Sequence, residues 1–180
     1  MIGMRNSKFG FWNEGKIMSE TKFTEDRIYE LIRNIPDPEI PVITIEDLGI
    51  LREVKYEDDK IVISITPTYS GCPAMKAIEN DITDILRESG IENFQIKTVF
   101  APVWTTDWIN DEAKEKLRRY GISPPEGKST DKNILLNKKI LCPQCNSSNT
   151  EMISHFGSTA CKALYRCKDC LEPFDHFKCH

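Results

Sequence analysis

The 180-residue sequence has no long hydrophobic run, no excess of positive charge and only three histidines. No stretch comes near the roughly 20 apolar residues that a membrane-spanning helix needs. The segment from Met1 to Met18 lacks the apolar run and the small-residue cleavage site of a secretory leader. The net charge is -4, which argues against a general nucleic-acid-binding protein. These absences predict a cytoplasmic protein whose partners include neither a membrane nor a nucleic acid.

The motifs of several enzyme classes are missing as well. All three histidines lie in the last 30 residues, and no Glu-x-x-His motif is present. The sequence therefore lacks the carboxylate and histidine pattern of a diiron site built on facing helices. It also lacks the glycine-rich loop that binds phosphates in nucleotide-binding proteins. We expect a chain that is not catalytic on its own.

Cysteine is nearly absent from the first 130 residues and frequent after them. Cys72 stands alone, whereas the other six cysteines lie between residues 142 and 179. Residues 131–180 hold seven Lys/Arg and five Asp/Glu, a net charge of +2, which leaves 17 and 23, a net charge of -6, for the remainder. Both changes, and the Pro-, Gly- and Ser-rich stretch 124–130, indicate a domain boundary. The predicted organisation is a disordered extension (1–22, with Met1 or Met18 as the natural start), a domain (23–123), a linker (124–138) and a small cysteine-rich module (139–180).

The hydrophobic pattern of the 23–123 domain predicts the order α-β-β-α-β-α. Thr24 is the expected cap of the first helix, which carries one apolar stripe and ends at a group of prolines. A cap at Thr106 or Asp107 is expected for the last helix. The expected elements are helices near 25–35, 73–89 and 107–119, and strands near 50–56, 60–66 and 94–100. We predict an α+β fold, with helices on a small mixed sheet, followed by a zinc-ribbon-like module with four cysteine ligands.

Cys72 precedes Pro73 at the turn from the second strand to the second helix. Proline favours the first position of a helix, so Cys72 is the expected N-cap, where the helix dipole lowers the pKa of a thiol. From position alone, an inert packed cysteine is as good an interpretation as a reactive thiolate, and the Gly-Cys-Pro turn favours the thiolate. A single thiolate cannot hold a metal, so Glu39 and Asp47, or a second protomer, are expected to assist it. The Thr66 hydroxyl is a further candidate contact, whereas turn capping is the expected role of Asp37.

The module near the carboxyl end contains two Cys-x-x-Cys motifs, Cys142/Cys145 and Cys167/Cys170, separated by 21 residues. Two such pairs can present four sulfur atoms tetrahedrally, as structural zinc requires. Two disulfides are the alternative, which a cytosolic location disfavours. Iron in the same four thiolates, as a single ion or as a cluster, stays open. Cys161, in the small-residue loop 156–162, is an additional candidate ligand or partner contact.

Residues from about 24 to 120 resemble the iron–sulfur assembly family that includes SufT-like proteins. The resemblance rests on Asp37-Pro38-Glu39, Asp47-Leu48-Gly49 and the run from Thr66 to Met75, which contains Gly71-Cys72-Pro73. It implies a small α+β domain in which Cys72 is the reactive, functionally important cysteine. It also implies a transient iron–sulfur cluster or iron as the group that this cysteine handles, and the iron–sulfur assembly machinery as a partner.

A second resemblance covers nearly the whole chain after the extension. The run 104–109, the two Cys-x-x-Cys motifs, and the runs 156–162 and 172–178 are similar to the PaaD family, accessory subunits of bacterial phenylacetyl-CoA epoxidase systems. In such systems a diiron oxygenase, supplied with electrons by a flavin and iron–sulfur reductase, epoxidises the ring of the CoA thioester. The resemblance implies partnership with the oxygenase and reductase subunits, and a role in maturing a metal centre rather than in oxygenation.

Three hypotheses follow for the function. The first is an assembly factor that uses Cys72, with the ribbon as a docking module. The second is an electron-transfer component with iron in the four ribbon cysteines. The third is a structural adaptor, for which Tyr69, Trp104 and Trp108 are the candidate interface anchors. A homodimer is compatible with each of them.

Overall fold

A computed structural model describes residues 23–127 and 139–178, so the extension expected at 1–22 and most of the expected linker lie outside the described residues. The described ranges contain an α+β fold, as predicted. The helices are α1 (Glu25–Ile32), α2 (Ala74–Glu88) and α3 (Asp111–Tyr120), and the strands are β1 (Leu51–Glu57), β2 (Lys60–Ile65), β3 (Phe94–Thr98), β4 (Ile122–Ser123), β5 (Thr150–Ser154), β6 (Lys162–Cys167) and β7 (Pro173–Phe177). None of the helices in these ranges is long and apolar enough to cross a membrane.

The first sheet has the strand order β1-β2-β3 and is mixed. Strands β1 and β2 form an antiparallel hairpin, and α2 is the crossover that makes β3 parallel to β2. The inner faces of the two helices are fully buried, with Ile28 and Ile32 from α1 and Ile78 and Ile82 from α2 at 0% exposure. The side chain of Thr24 accepts a hydrogen bond from the backbone N–H of Arg27, which confirms the predicted cap of α1.

The cap of the third helix differs from the prediction. Thr106 begins a short 3-10 helix that ends at Trp108, and the next residue, Ile109, has an extended backbone and a buried side chain. The α-helix then starts after Asn110, whose side chain accepts a hydrogen bond from the backbone N–H of Ala113 at 2.7 Å. Helical hydrogen bonding is interrupted at Ile109, whose side chain packs into the core, and it resumes in α3.

The second sheet joins the end of the first domain to the cysteine-rich module. Its strand order is β4-β7-β6-β5. Strand β4, which the sequence pattern does not predict, runs parallel to β7, with Ile122 opposite Asp175 and Ser123 opposite His176. Nδ1 of His176 lies 3.1 Å from the carbonyl oxygen of Ser123. The module is therefore attached to the first domain by shared sheet hydrogen bonding.

One hydrophobic core extends across this junction. Cys161 and Phe177 from the module belong to the same buried cluster as the isoleucines of α1 and α2. The ring of Phe177 packs 6.1 Å, centroid to centroid, from that of Trp104. Trp104 is 3% exposed and donates its indole N–H to the carbonyl oxygen of Leu48, as a core residue does. A smaller second cluster lies inside the module, around Cys142, Cys167 and Phe174.

Candidate metal centre and thiol site

The four cysteines of the two Cys-x-x-Cys motifs converge on one point. Their sulfur atoms all lie within 4.8 Å of one another. Two of the separations are 3.6 Å, between Cys142 and Cys170 and between Cys145 and Cys167. Disulfide sulfurs lie about 2.05 Å apart, so these cysteines are not paired as disulfides. A tetrahedron of sulfurs about 2.3 Å from a metal has edges of about 3.8 Å. The four cysteines therefore form a site that could bind a tetrahedral metal ion.

Local backbone geometry favours the anionic form of Cys167, whereas desolvation and the neighbouring thiols raise the pKa of Cys170 to about 12. The backbone N–H groups of Cys170 and Asp169 point at the sulfur of Cys167 and lower its pKa to about 7. The side chain of Asp169 ties the two motifs together, because it accepts a 2.7 Å hydrogen bond from the side-chain amide of Asn149 and another from the hydroxyl of Ser147. Cys142 and Cys167 are buried whereas Cys145 is exposed. A bound ion would thus have one side close to solvent.

Cys72 occupies a different position from the predicted one. Pro73 is the N-cap residue of α2, with backbone angles in the helical region (φ -69°, ψ -24°), and no side chain caps the helix. Cys72 lies one residue outside the cap, after Gly71, whose φ of +81° turns the chain. Its side chain is half-buried against the core. The proline takes the cap position itself, so Cys72 lies one residue before it, although the backbone N–H of Ala74 at the start of the helix still reaches the thiol.

The predicted low pKa of Cys72 is wrong. Burial raises the pKa of this thiol, the backbone N–H of Ala74 opposes the increase, and the negative charge of Glu39 adds to it. The same surroundings, burial first and then the charges of Cys72 and Glu39, raise the pKa of the Tyr69 hydroxyl to about 12. Cys72 is therefore a protonated thiol at neutral pH. Desolvation and the neighbouring carboxylates raise the pKa by more than the hydrogen bond from the start of the helix lowers it.

The neighbouring carboxylates come from a tight turn before the first sheet. Oδ1 of Asp37 accepts hydrogen bonds from the backbone N–H groups of Glu39 (2.9 Å) and Ile40 (2.8 Å), the capping role expected for it. This turn holds the side chain of Glu39 near Cys72. Burial raises the pKa of Glu39, and the charge of Asp37 raises it further. Burial raises the pKa of Asp37 as well, against the effect of its two backbone donors.

A second thiol reaches this turn from the module. The sulfur of Cys161 lies 3.9 Å from Oε2 of Glu39 and 3.0 Å from the hydroxyl oxygen of Thr159. Cys161 is 5% exposed, and burial raises the pKa of its thiol, with Thr159 opposing the shift and Glu39 reinforcing it. The structure thus places Cys161 beside Glu39 and in the electrostatic neighbourhood of Tyr69, and outside the four-cysteine set. We name Cys72, Cys161, Glu39 and Asp37 the acid–thiol cluster.

A buried lysine accompanies the acid–thiol cluster, and sequence reasoning missed it. Lys162 is 4% exposed, and its ammonium lies 3.8 Å from a carboxylate oxygen of Asp175. Its positive charge opposes the rise in pKa of both Glu39 and Asp37. Lysine is almost never fully buried without a partner, so a sequence alone does not suggest that Lys162 is buried. Its adjacency to Cys161 in the chain is the one local signal for it.

Asp47 and Thr66 have other surroundings. Oδ2 of Asp47 accepts hydrogen bonds from Nζ of Lys116 (2.9 Å) and from the backbone N–H of Thr44 (3.1 Å). Although burial disfavours the charged form, these donors lower the pKa of Asp47. Thr66 is buried and lines a surface cavity of about 240 Å³ together with Tyr69 and Trp104. Of the residues predicted to assist Cys72, the structure gathers Glu39 into the acid–thiol cluster, with the capping residue Asp37 beside it.

The acid–thiol cluster has a defined chemistry. Burial disfavours the charged forms of its two thiols and two carboxyl groups, and the ammonium of Lys162 favours the charged forms of Asp37, Glu39 and Cys161. A cation that accepts sulfur and oxygen ligands removes this cost, because it displaces the protons and neutralises the anions. Thiolate and carboxylate together suit borderline transition metals such as iron and zinc.

Comparison with known proteins gives matches over both parts of the chain. The family model "Iron-sulfur cluster assembly protein" matches residues 25–96, and "PaaD zinc beta ribbon domain" matches residues 126–178. A protein of Escherichia coli, described as a putative D-type subunit of 1,2-phenylacetyl-CoA epoxidase, is 51% identical over 152 residues, which are 84% of this chain and 91% of that protein.

Two further matches cover about half of the chain. The "Fe-S protein maturation auxiliary factor" of Porphyromonas gingivalis is 33% identical over 96 residues, 52% of this chain and 90% of that protein. The crystal structure of "Domain of Unknown Function DUF59" from Bacillus anthracis covers 52% of this chain and 90% of its own, with 26% identity and a TM-score of 0.47. Since the identity to the E. coli protein extends over most of both chains, this chain belongs to the PaaD family of phenylacetyl-CoA epoxidase subunits, with a first domain of the iron–sulfur cluster assembly family.

Proposed function

We propose that this chain is an accessory subunit of a phenylacetyl-CoA epoxidase system, and that it helps to mature an iron centre of that system through Cys72. The relationship to the E. coli epoxidase protein supports the pathway, and the name of the P. gingivalis relative supports a role in maturation. The observation that carries the proposal is the half-buried thiol of Cys72, on which the charge of Glu39 acts. A half-exposed thiol that is protonated until a metal displaces its proton can take up iron and release it again.

The proposed partners are the oxygenase and reductase subunits of the epoxidase and the iron–sulfur assembly machinery, in the cytoplasm. Each part of the molecule has its own function. The acid–thiol cluster handles iron, which is cargo, whereas the four ribbon cysteines hold a resident structural ion. Separated thiols rather than disulfides at the ribbon site fit a reducing compartment.

We propose zinc as the ribbon ion. Two of the separations between the four sulfur atoms are 3.6 Å and all lie within 4.8 Å, which fits the closed tetrahedral geometry of structural zinc. Elemental analysis of the purified chain tests this assignment, with one zinc per chain as the expected result. One iron per chain with visible absorption would instead support the electron-transfer hypothesis, because iron held by four cysteines is coloured and zinc is not.

The maturation role is tested in a strain that produces the complete epoxidase system together with variants of this chain. Cys72→Ser is expected to lower the iron content of the purified oxygenase or reductase subunits, because the serine hydroxyl replaces the thiol that carries the iron. Ser70→Ala is the matched control, since this exposed residue of the same loop leaves the thiol in place. Full iron content of both components in the Cys72→Ser strain would contradict the proposal.

A further inference from the structure

The loop before β6 brings a second thiol to the acid–thiol cluster. Cys161 and Glu39 are 122 positions apart in the sequence, yet the sulfur of Cys161 lies 3.9 Å from a carboxylate oxygen of Glu39. The hydroxyl of Thr159, two residues earlier, hydrogen-bonds to this sulfur at 3.0 Å. Glu39 thus contacts Cys161 on the module, and its charge also acts on Cys72 on its own domain.

The position of Cys161 is fixed by the junction between the two parts of the chain. Its carbonyl oxygen accepts a 3.0 Å hydrogen bond from the backbone N–H of Lys178, directly after β7. Strand β7 in turn pairs with β4, and Phe177 inserts into the core of the first domain. The packed interface between the module and the first domain therefore fixes the position of the Cys161 thiol. A residue that served only to fill space there need not be a cysteine held against a carboxylate.

We propose that Cys161 is the second sulfur ligand of the iron that Cys72 handles, with Glu39 as an oxygen ligand, so that the module completes the site within one chain. The inference rests on the proposed maturation role of Cys72. The ligand class is thiolate-bound iron, either a ferrous ion or a small iron–sulfur cluster. As each Fe–S bond forms, the thiol releases its proton to solvent, and the oxidation state of the iron does not change.

The spacing of the donors fits cargo better than a resident ion. Among the described residues, three or more ligand atoms lie within 4.8 Å of one another only in the ribbon set. The donors of the acid–thiol cluster do not meet that spacing, so they must move closer together to bind iron and can separate again to release it. The buried ammonium of Lys162 beside the cluster offsets part of the anionic charge that the ligands carry when iron is bound. This inference also removes the need for a second protomer to supply a thiol.

Iron retention by the zinc-loaded full chain tests the inference. The protein is reconstituted anaerobically with ferrous iron alone, or with ferrous iron and sulfide, and desalted before iron is measured. Cys72→Ser and Cys161→Ser are each expected to lower retained iron at least about tenfold, since loss of even an outer-sphere partner of a metal costs about that much affinity. Glu39→Gln is expected to weaken retention, whereas the matched control Glu46→Gln, at a glutamate that pairs with Arg33, leaves it unchanged. Retention without sulfide identifies the ion, and retention only with sulfide identifies the cluster.

The outcomes separate this inference from the proposed function. Iron retained by Cys161→Ser but lost from Cys72→Ser, or no retention by the unmodified chain, overturns the inference. Iron held through both thiols but never needed by the epoxidase overturns the maturation role alone. If Cys161→Ser does not fold, judged by its zinc content and thermal midpoint, X-ray absorption at the iron edge of the unmodified chain decides. Two sulfur ligands from the protein support the inference, and one contradicts it.

Discussion

Replacement of Phe177 by alanine is the sharpest test of the junction between the two parts of the chain. The ring is 1% exposed and belongs to the core of the first domain, although the residue lies on the last strand of the module. Removing a buried phenylalanine costs about 3–5 kcal/mol from lost burial and the resulting cavity. Loss of the ring contact with Trp104 is part of that cost. At about 2–4 °C per kcal/mol for a chain of this size, the thermal midpoint should fall by about 6–20 °C.

The assay is thermal and denaturant unfolding of the zinc-loaded chain, followed by tryptophan fluorescence. Phe156→Ala is the matched control, because that ring is on the same module but 67% exposed, and a surface substitution changes stability by about 0.5 kcal/mol or less. A decrease of less than about 1 kcal/mol in the free energy of unfolding of Phe177→Ala would show that the module is joined to the first domain by the chain alone and does not pack against it. Since Phe177 is not part of the smaller core around the ribbon cysteines, zinc content should stay near one per chain even where stability falls.

Three further predictions concern the ribbon metal, one ion pair and the lone thiol. Removal of the ribbon metal by a chelator should unfold the module, seen as loss of β-sheet signal and rapid proteolysis within 139–178, because its own core is only a few side chains. The pKa of Asp47 is lowered in the folded state, so its ion pair with Lys116 stabilises the fold above the unfolded pKa of about 4. This stabilisation is lost as the pH falls through the folded pKa. In a pH series of unfolding curves, Asp47→Asn should therefore lower the free energy of unfolding by about 1 kcal/mol at pH 7 and leave it unchanged at the acid end. Iodoacetamide should alkylate Cys72 more slowly at pH 7 than it alkylates an unstructured cysteine, and the rate should rise at higher pH. The rate is followed by mass spectrometry, and alkylation faster than that of the unstructured cysteine would contradict the raised pKa.

The local pattern of the sequence predicts the elements of this fold well. The order of helices and strands in the first domain and the cap at Thr24 follow from apolar periodicity and side-chain chemistry within a few residues. The ribbon site follows from the spacing of its cysteines alone, since that spacing encodes the ligand geometry. These features depend on neighbours in the chain, which is why they can be predicted from it.

The features that the sequence did not predict depend on distant partners. Whether Cys72 has a low or a high pKa is decided by Glu39 and by burial, and neither is visible near position 72. The two-residue strand at Ile122 is too short for any pattern and forms only because β7 lies beside it. Cys161 could be singled out as a cysteine in a small-residue loop, but its neighbour Glu39 is 122 positions away. Docking of the module on the first domain depends on the complementary shapes of segments that are distant in the sequence, and no local motif encodes them.

Strand β6 relates the two sulfur sites physically. It starts at Lys162, directly after Cys161, and ends at Cys167, a ribbon cysteine. At about 3.3 Å per residue, six steps along a strand separate these two cysteines by about 20 Å, so the resident ion and the iron cannot share a ligand. They can still be coupled, because the metal that orders the ribbon also orders the strand that carries Cys161. Stripping the ribbon metal should therefore lower iron retention at the acid–thiol cluster without removing any of its ligands, and undiminished retention by the metal-free module would show that the two sites are independent.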